Sequence, residues 1–347
     1  MWIDPFSLEL ASPLSTAAGT ITERRGFLVG VERDGYRGVG EATPLPGWTE
    51  SYEAARHALA DATVDSPPEP TETPAAAHAV DLACLDAIAR RDGRPLAAVL
   101  REHGFDTDRP LPESIPVNAT IGDGGIDETV EAATAAVDKG FAWLKLKVGV
   151  QEPKQDLRRV QAVHTAVGDG VILRLDANGA WDRATARQLV DRLAEIGVEY
   201  LEQPLPADDL TGHAALRGRG VDIAVDESLA EASIQRVLAA GAADVAVIKP
   251  MAVGGPRRAV AAAADAREAG VEPVVTTTVD GVVARTAAVH VAAAIPGVTA
   301  CGLSTGSLLA DDLAADPVEI ANGGARVPAG GGLCGEGFDS LRSARDE

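Results

Sequence analysis

From about residue 115 the chain repeats one unit: a short apolar run, a polar turn, then an Ala-rich stretch with apolar residues at helical spacing. The apolar runs fall near 115–121, 142–148, 171–177, 198–202, 222–226, 244–249, 273–277 and 299–303. An apolar strand followed by a helix is the βαβ unit of a parallel sheet. Eight such units over roughly 200 residues predict an α/β fold with a (β/α)8-type, TIM-like barrel at 113–314, in preference to an open doubly wound sheet. No Gly-x-Gly-x-x-Gly follows the first strand of a unit, which argues against a dinucleotide site.

Residues 1–112 read as a separate α+β domain. The alternating runs Phe27–Glu32 and Tyr36–Glu41, split by Asp34-Gly35, predict a hairpin. Helices are expected at 50–63 and 74–92, the second with Thr73 as N-cap, Pro74 at its first position and Gly93 at its end. The Gly-rich tail, 315–347, is expected to pack back on this domain.

Composition narrows the partners. A net charge of -21 argues against nucleic acid or an anionic membrane surface, and no apolar run approaches membrane length. The three widely spaced cysteines fit a reducing, cytoplasmic compartment. The acidic residues are scattered and lysine is scarce, as on the solvated surface of a protein from a high-salt cytoplasm. Of 31 basic residues only five are lysines: Lys139, Lys145, Lys147, Lys154 and Lys249. Three of the five sit in apolar strand-like runs, where lysine is costly to bury.

Barrel active sites form at the C-terminal ends of the strands. There the second strand carries Lys145 and Lys147, the third Asp176 and Asn178, the fourth Glu202, the fifth Asp226 and Glu227, and the sixth Lys249. The steps 147→176→202→226→249 are 29, 26, 24 and 23 residues, each about one βα unit. A single acid at a strand end is ordinarily a cap or turn residue; five strand ends in register ask for more. Three carboxylates without a His or Cys cluster favour a hard cation, most simply Mg2+, with Mn2+ as an alternative. Such an ion would bind a substrate carboxylate and hold the charge that develops on deprotonating the adjacent carbon. The base must be neutral near pH 7, and burial beside a second lysine lowers a lysine pKa. His290, on a helical stretch, reads as structural.

Lys-Leu-Lys (145–147), Asp176-Ala-Asn178, Glu202-Gln-Pro204, Asp226-Glu-Ser228 and Lys249-Pro250 together resemble the enolase superfamily, muconate-lactonizing subgroup, whose sites pair a Lys or His base with Mg2+. Within it the chain is similar to the o-succinylbenzoate synthases, dehydratases of menaquinone biosynthesis. Gly38–Trp48, Arg174–Asn178, Thr276–Asp280, Gly302–Gly306 and the helix Ala79–Arg91 followed by Gly93-Arg-Pro-Leu96 carry that likeness. The resemblance implies a modified (β/α)7β barrel with an N-terminal capping domain. It implies Asp176, Glu202 and Asp226 as Mg2+ ligands, Lys147 as the base that then helps the hydroxyl leave, and Lys249 as the cation that stabilises an enediolate. Lys145 would keep Lys147 neutral and Glu227 would orient Lys249. Arg174, Asn178, Thr277, Gly302, Ser304 and Gly306 would hold a small-molecule carboxylate substrate. Residues 15–25 match a lid, with Arg24 and Arg25 placed to attract a dianion or to lie in solvent. The rivals are an N-acylamino-acid racemase with two lysine bases, a dipeptide epimerase and a muconate cycloisomerase. The Asp-x-Asp typical of epimerases is absent from 301–306, Cys-Gly-Leu-Ser-Thr-Gly.

Overall fold

In the computed structural model, which describes residues 1–16 and 19–343, the N-terminal domain is a three-stranded antiparallel sheet under helices. Its strands are β1 (Trp2–Thr16), β2 (Gly19–Arg33) and β3 (Tyr36–Ala42), in the order β1-β2-β3. Asp34 and Gly35 take φ of 53° and 80°, the paired positive values that a two-residue hairpin turn requires. The long strand β1 and the first half of β2 lie outside the sequence expectation. Pro5 and Pro13 argue against a strand, and an edge strand tolerates them because one row of its backbone groups needs no partner. The expected lid at 15–25 falls partly outside the described residues, at 17 and 18; residues 19–25 are ladder, with Ile21 opposite Leu14 and Arg24 opposite Leu8.

Helices α1 (Tyr52–Ala60), α2 (Pro74–Arg91) and α3 (Leu96–Arg101) follow. Thr73 makes no side-chain cap bond; the Glu50 carboxylate instead accepts from Ala75 N (3.0 Å) and Ala76 N (2.9 Å) at the start of α2. Helix α2 lies so close to β3 that a Cβ at Gly38 or Gly40 would collide with the carbonyl oxygens of Ala83 and Ala79. This contact explains the Gly-Val-Gly of the motif at 38–40.

The barrel begins after β4 (Ser114–Pro116). Its parallel strands are β5 (Asn118–Ile121), β6 (Trp143–Lys147), β7 (Ile172–Asp176), β8 (Tyr200–Glu202), β9 (Asp222–Val225), β10 (Val245–Ile248) and β11 (Glu272–Val275). The intervening helices are α4 (Ile126–Asp138), α5 (Pro153–Val167), α6 (Arg183–Ile196), α7 (Leu210–Leu216), α8 (Ser228–Glu231), α9 (Ile234–Ala239), α10 (Pro256–Glu268) and α11 (Val282–Ala294). The sheet runs in strict order from β5 to β11. Closure is made by residues 300–302, which pair with both edges through single bridges, Val117 to Cys301 and Thr276 to Gly302. Cys301 N bonds Pro116 O (2.8 Å) and Gly302 N bonds Val275 O (2.9 Å). The expected eighth strand is thus a two-sided splice, and only a 3-10 turn at Gly306–Leu308 follows it directly.

Alternation sorts each strand's residues. Leu144, Leu146, Leu173, Leu175 and Leu201 pack outward with the helices, while Tyr200, Ala224, Val245, Val247 and Val274 plug the barrel interior. Above the plug the inward positions become polar. The tail divides: β12 (Ile320–Ala321) and β13 (Gly324–Arg326) join β4 at the start of the barrel, and beyond them Arg342 reaches the cap, ion-paired with the buried Asp86 on α2 at 2.8 Å.

The seam between the two domains is largely apolar, with one core cluster running through cap residues such as Leu28 and Leu82 and barrel residues such as Val260 and Val283, and buried polar groups are set into it. Glu41, at the end of β3, accepts from Gly281 N (2.7 Å) and Ala284 N (2.9 Å), capping α11 from the other domain. Burial and the nearby Asp280 charge push its carboxyl up to about 7. His290 on α11 meets Leu333 O through Nε2 (2.6 Å) and accepts from Ala97 N through Nδ1 (3.3 Å), the neutral tautomer; burial lowers its pKa to about 4.

Candidate active site

Strand register places the polar residues in layers. Lys147 pairs with Asp176 and Asp176 with Glu202, while one step below Lys145 pairs with Arg174 and Arg174 with Tyr200. Strands β9 and β10 are staggered upward: Glu202 pairs with Ala224 and Val225 with Ala246, so Asp226 and Lys249 extend beyond the ladders to reach the same level.

Lys145 Nζ donates to Glu202 Oε1 (2.6 Å) and lies 3.0 Å from Asp176 Oδ2. Lys147 Nζ donates to Asp176 Oδ2 (2.7 Å) and Asn178 Oδ1 (2.8 Å). Lys249 Nζ is ion-paired with Asp226 and sits 3.4 Å from the ring centroid of Trp48, a cap residue. The two flanks differ in exposure: the Lys147 side chain is 35% exposed and that of Lys249 8%.

Charge compensation here is uneven. Burial alone would raise the Asp176 carboxyl, but the two ammonium groups beside it outweigh burial and hold it far below the carboxylate range. Burial and the Asp176 charge push Glu202 up to about 7, and burial lifts Asp226 despite Lys249. Burial works against the Lys145 ammonium, yet Asp176 and Glu202 overcome it and drive its pKa well above normal, opposite to the lowering that a like charge alone would cause.

Among the described residues no three acidic or histidine side chains stand as a ready metal cage, because lysines are interleaved among the carboxylates. The residues nevertheless fit a cation with oxygen ligands. Glu202 Oε2 is buried without a hydrogen-bond partner, and three buried carboxylates face one barrel mouth.

The other expected residues divide. Asn178 joins the site: φ of 44° turns it back over the strand end, Oδ1 takes Lys147, and Nδ2 donates to Glu227 Oε1 (2.9 Å). The hydrogen-bond partner of Glu227 is therefore Asn178, not Lys249. Arg174 leaves the site, because its guanidinium is fully buried on the floor and bonded to Glu199, Ala300 O (2.6 Å) and Thr299 Oγ1 (3.1 Å). Gly302 cannot offer its amide to a substrate, since barrel closure uses its N–H and Thr276 Oγ1 takes its carbonyl (2.8 Å). Thr277 Oγ1 pairs with Thr305 Oγ1 (3.1 Å), joining the loops after β11 and the splice; Ser304 and Gly306 are half-buried on the second of these loops. Arg24 is buried at 3% exposure, donating to Thr43 O (2.6 Å), Pro44 O (3.2 Å) and Val279 O (3.1 Å), so it ties cap to barrel instead of meeting solvent or a dianion. Val279 has φ of 60°, a strained value for a β-branched residue. Arg25 is exposed and stacks over Tyr52.

Two contributors went unassigned in the sequence. Gln203, the middle of Glu-Gln-Pro, is fully buried with φ of 40°; its Oε1 accepts from Asp226 N (2.9 Å) and Ser228 N (3.2 Å), fixing the turn that presents Asp226. Trp48 closes the Lys249 flank. Both lie in quoted motifs, but only the fold shows what they touch.

Residues 128–337 match the family description "Enolase C-terminal domain-like", and residues 6–100 match "Mandelate racemase / muconate lactonizing enzyme, N-terminal domain". The chain is 38% identical over 218 residues, 62% of its length and 67% of the relative's, to an o-succinylbenzoate synthase of Thermobifida fusca. A solved N-succinyl Arg/Lys racemase of Bacillus cereus superposes with a TM-score of 0.85 at 26% identity, covering 98% of this chain and 95% of that one. A dipeptide epimerase of Enterococcus faecalis, solved with Mg and L-Leu-L-Tyr, superposes with a TM-score of 0.82 at 26% identity, covering 96% and 97%.

Proposed function

The chain belongs to the enolase superfamily, whose members bind Mg2+, and from that premise we propose that it is an o-succinylbenzoate synthase. In this reading it dehydrates 2-succinyl-6-hydroxy-2,4-cyclohexadiene-1-carboxylate to o-succinylbenzoate, a lyase step of menaquinone biosynthesis. Asp176, Glu202 and Asp226 would hold Mg2+, which when bound neutralises the substrate carboxylate and the charge that develops beside it. Lys147 takes the proton α to that carboxylate, and the same ammonium then delivers it to the departing hydroxyl on the same face, a syn elimination. Asp176 and Asn178 hold the Lys147 amine in place. Lys249, on the opposite flank, offsets the enediolate charge.

The observation that carries this reading is the inequality of the two lysines. A racemase needs a proton carrier on each face. Here Lys147 is open to the mouth, whereas Lys249 is enclosed between Asp226 and an indole, a setting for fixed charge. The absence of an acid in 301–306 also counts against a substrate with a free ammonium. The likeness to the Bacillus cereus N-succinyl Arg/Lys racemase supports an N-acylamino-acid racemase as the second reading.

Purified protein with Mg2+ in high KCl should form o-succinylbenzoate from the cyclohexadiene acid. Racemisation of N-succinyl amino acids without that turnover would transfer the assignment to the racemase. The net charge of -21 further leads us to expect unfolding as KCl is withdrawn, followed by circular dichroism; salt-independent melting would sink the high-salt assignment.

A further inference from the structure

We propose that Trp48, from the cap, is a positioning residue for Lys249, so that one flank of the barrel site is assembled across the domain seam. The inference deepens the reading of the site as a carbanion centre and rests on it. Lys249 ends a strand on a flexible stem, and an ammonium on such a stem needs contacts to fix its direction. It has two: the Asp226 carboxylate and the face of the Trp48 ring, 3.4 Å from Nζ to centroid, well inside cation–π range. Asp226 is also a proposed metal ligand, which leaves the indole as the contact devoted to the lysine.

The indole is itself held. Its turn is closed by Trp48 N and Thr49 N, which donate to Leu45 O (both 2.9 Å), and by Leu45 N, which donates to Thr49 Oγ1 (2.8 Å), with Gly47 at φ of 96°. The next residue, Glu50, is fastened to the start of α2. Trp48 also lines a cavity of about 680 Å³ between the cap and α8–α10. Removing the ring would open the Lys249 flank toward that space and admit water to an amine now 8% exposed.

The chain's five lysines make the test tractable. In protein labelled with [ε-13C]lysine, K249R deletes one of five signals and so assigns Lys249. We expect that signal's methylene protons to be shifted upfield by the ring, to stay shifted in W48F, and to return to the ordinary lysine position in W48L. A Lys249 signal indifferent to W48L overturns the proposal, whatever the enzyme turns over.

For the kinetic arm, W48L should lower kcat by about tenfold or more with KM little changed, and W48F by less. Added to K249A, W48L should cost nothing further, because its effect runs through Lys249. An additive double variant with unchanged Mg2+ binding by calorimetry would show that Trp48 acts elsewhere. If wild-type protein turns over none of the candidate substrates, the functional reading fails, while the lysine spectrum still decides where Trp48 places Lys249.

Discussion

The two flanks of the site are made in different ways. The Lys147 flank belongs to the barrel alone: β6 and β7 lie side by side, and Lys147, Asp176 and Asn178 bond one another within one βαβ unit. The Lys249 flank is composite, with Asp226 and Lys249 just past the ends of β9 and β10 and a ring from the cap. The Lys147 flank should therefore survive loosening of the seam, and the Lys249 flank should not. In the proposed reading the partly open Lys147 would exchange protons with substrate, and the enclosed Lys249 would offset charge.

The sharpest way to break this contrast is Lys147→Ala. Loss of a positioned general base should lower kcat by about 10,000-fold while circular dichroism and Mg2+ calorimetry stay as in the wild type. A variant keeping appreciable turnover would remove the distinction between the flanks.

The next effect is on the seam, where two buried groups respond to pH in opposite senses. Glu41 is raised to about 7 in the fold, so its contribution is present below the ordinary carboxyl value and is lost as pH climbs through about 7. His290 is lowered to about 4, so its contribution is present above the ordinary histidine value and fades as pH falls toward about 4. Each corresponds to about 3 kcal/mol, and over the shared window the slopes offset. Glu41→Gln should expose the histidine slope, so that the variant loses stability between pH 6.5 and 4.5 more steeply than the wild type. Hydrogen exchange should show α11 and the loop at 45–49 opening before β6 and β7. Parallel melting curves for the two proteins across that window, or β6 opening first, would contradict the division.

The smallest effect is within the open flank. Asn178→Ala removes one of two acceptors from Lys147 and the link to Glu227, and should lower kcat by about tenfold, with KM and Mg2+ affinity nearly unchanged. A large rise in KM would mean that Asn178 contacts substrate directly.

Strands β6 to β10 and the lysine and carboxylate set were legible because each follows from a local period. Alternation decides which side chains enter the barrel, and the βα repeat brings strand ends to one mouth. What escaped depends on distant partners. Trp2–Thr16 has little core-facing alternation, since among its described side chains only Leu8 is buried, and its prolines disguise an edge strand. Arg174 looked like a substrate ligand beside Asp176, but two of its acceptors, Ala300 O and Thr299 Oγ1, lie more than a hundred residues away. Gly302 sat in an inviting Gly-Leu-Ser-Thr-Gly loop, yet closing the barrel takes its amide.

The chain's own order of residues determined the barrel, the site end and the chemical types gathered there, because repeat length and side-chain alternation act over one βα unit at a time. Tertiary structure alone decided which lysine is open and which enclosed, that Arg174 is floor, that Asn178 bonds Lys147 and Glu227, and that Trp48 meets Lys249. Those outcomes rest on long-range contacts between the cap, the barrel and the returning tail, and no local pattern in the sequence encodes which partner will be met.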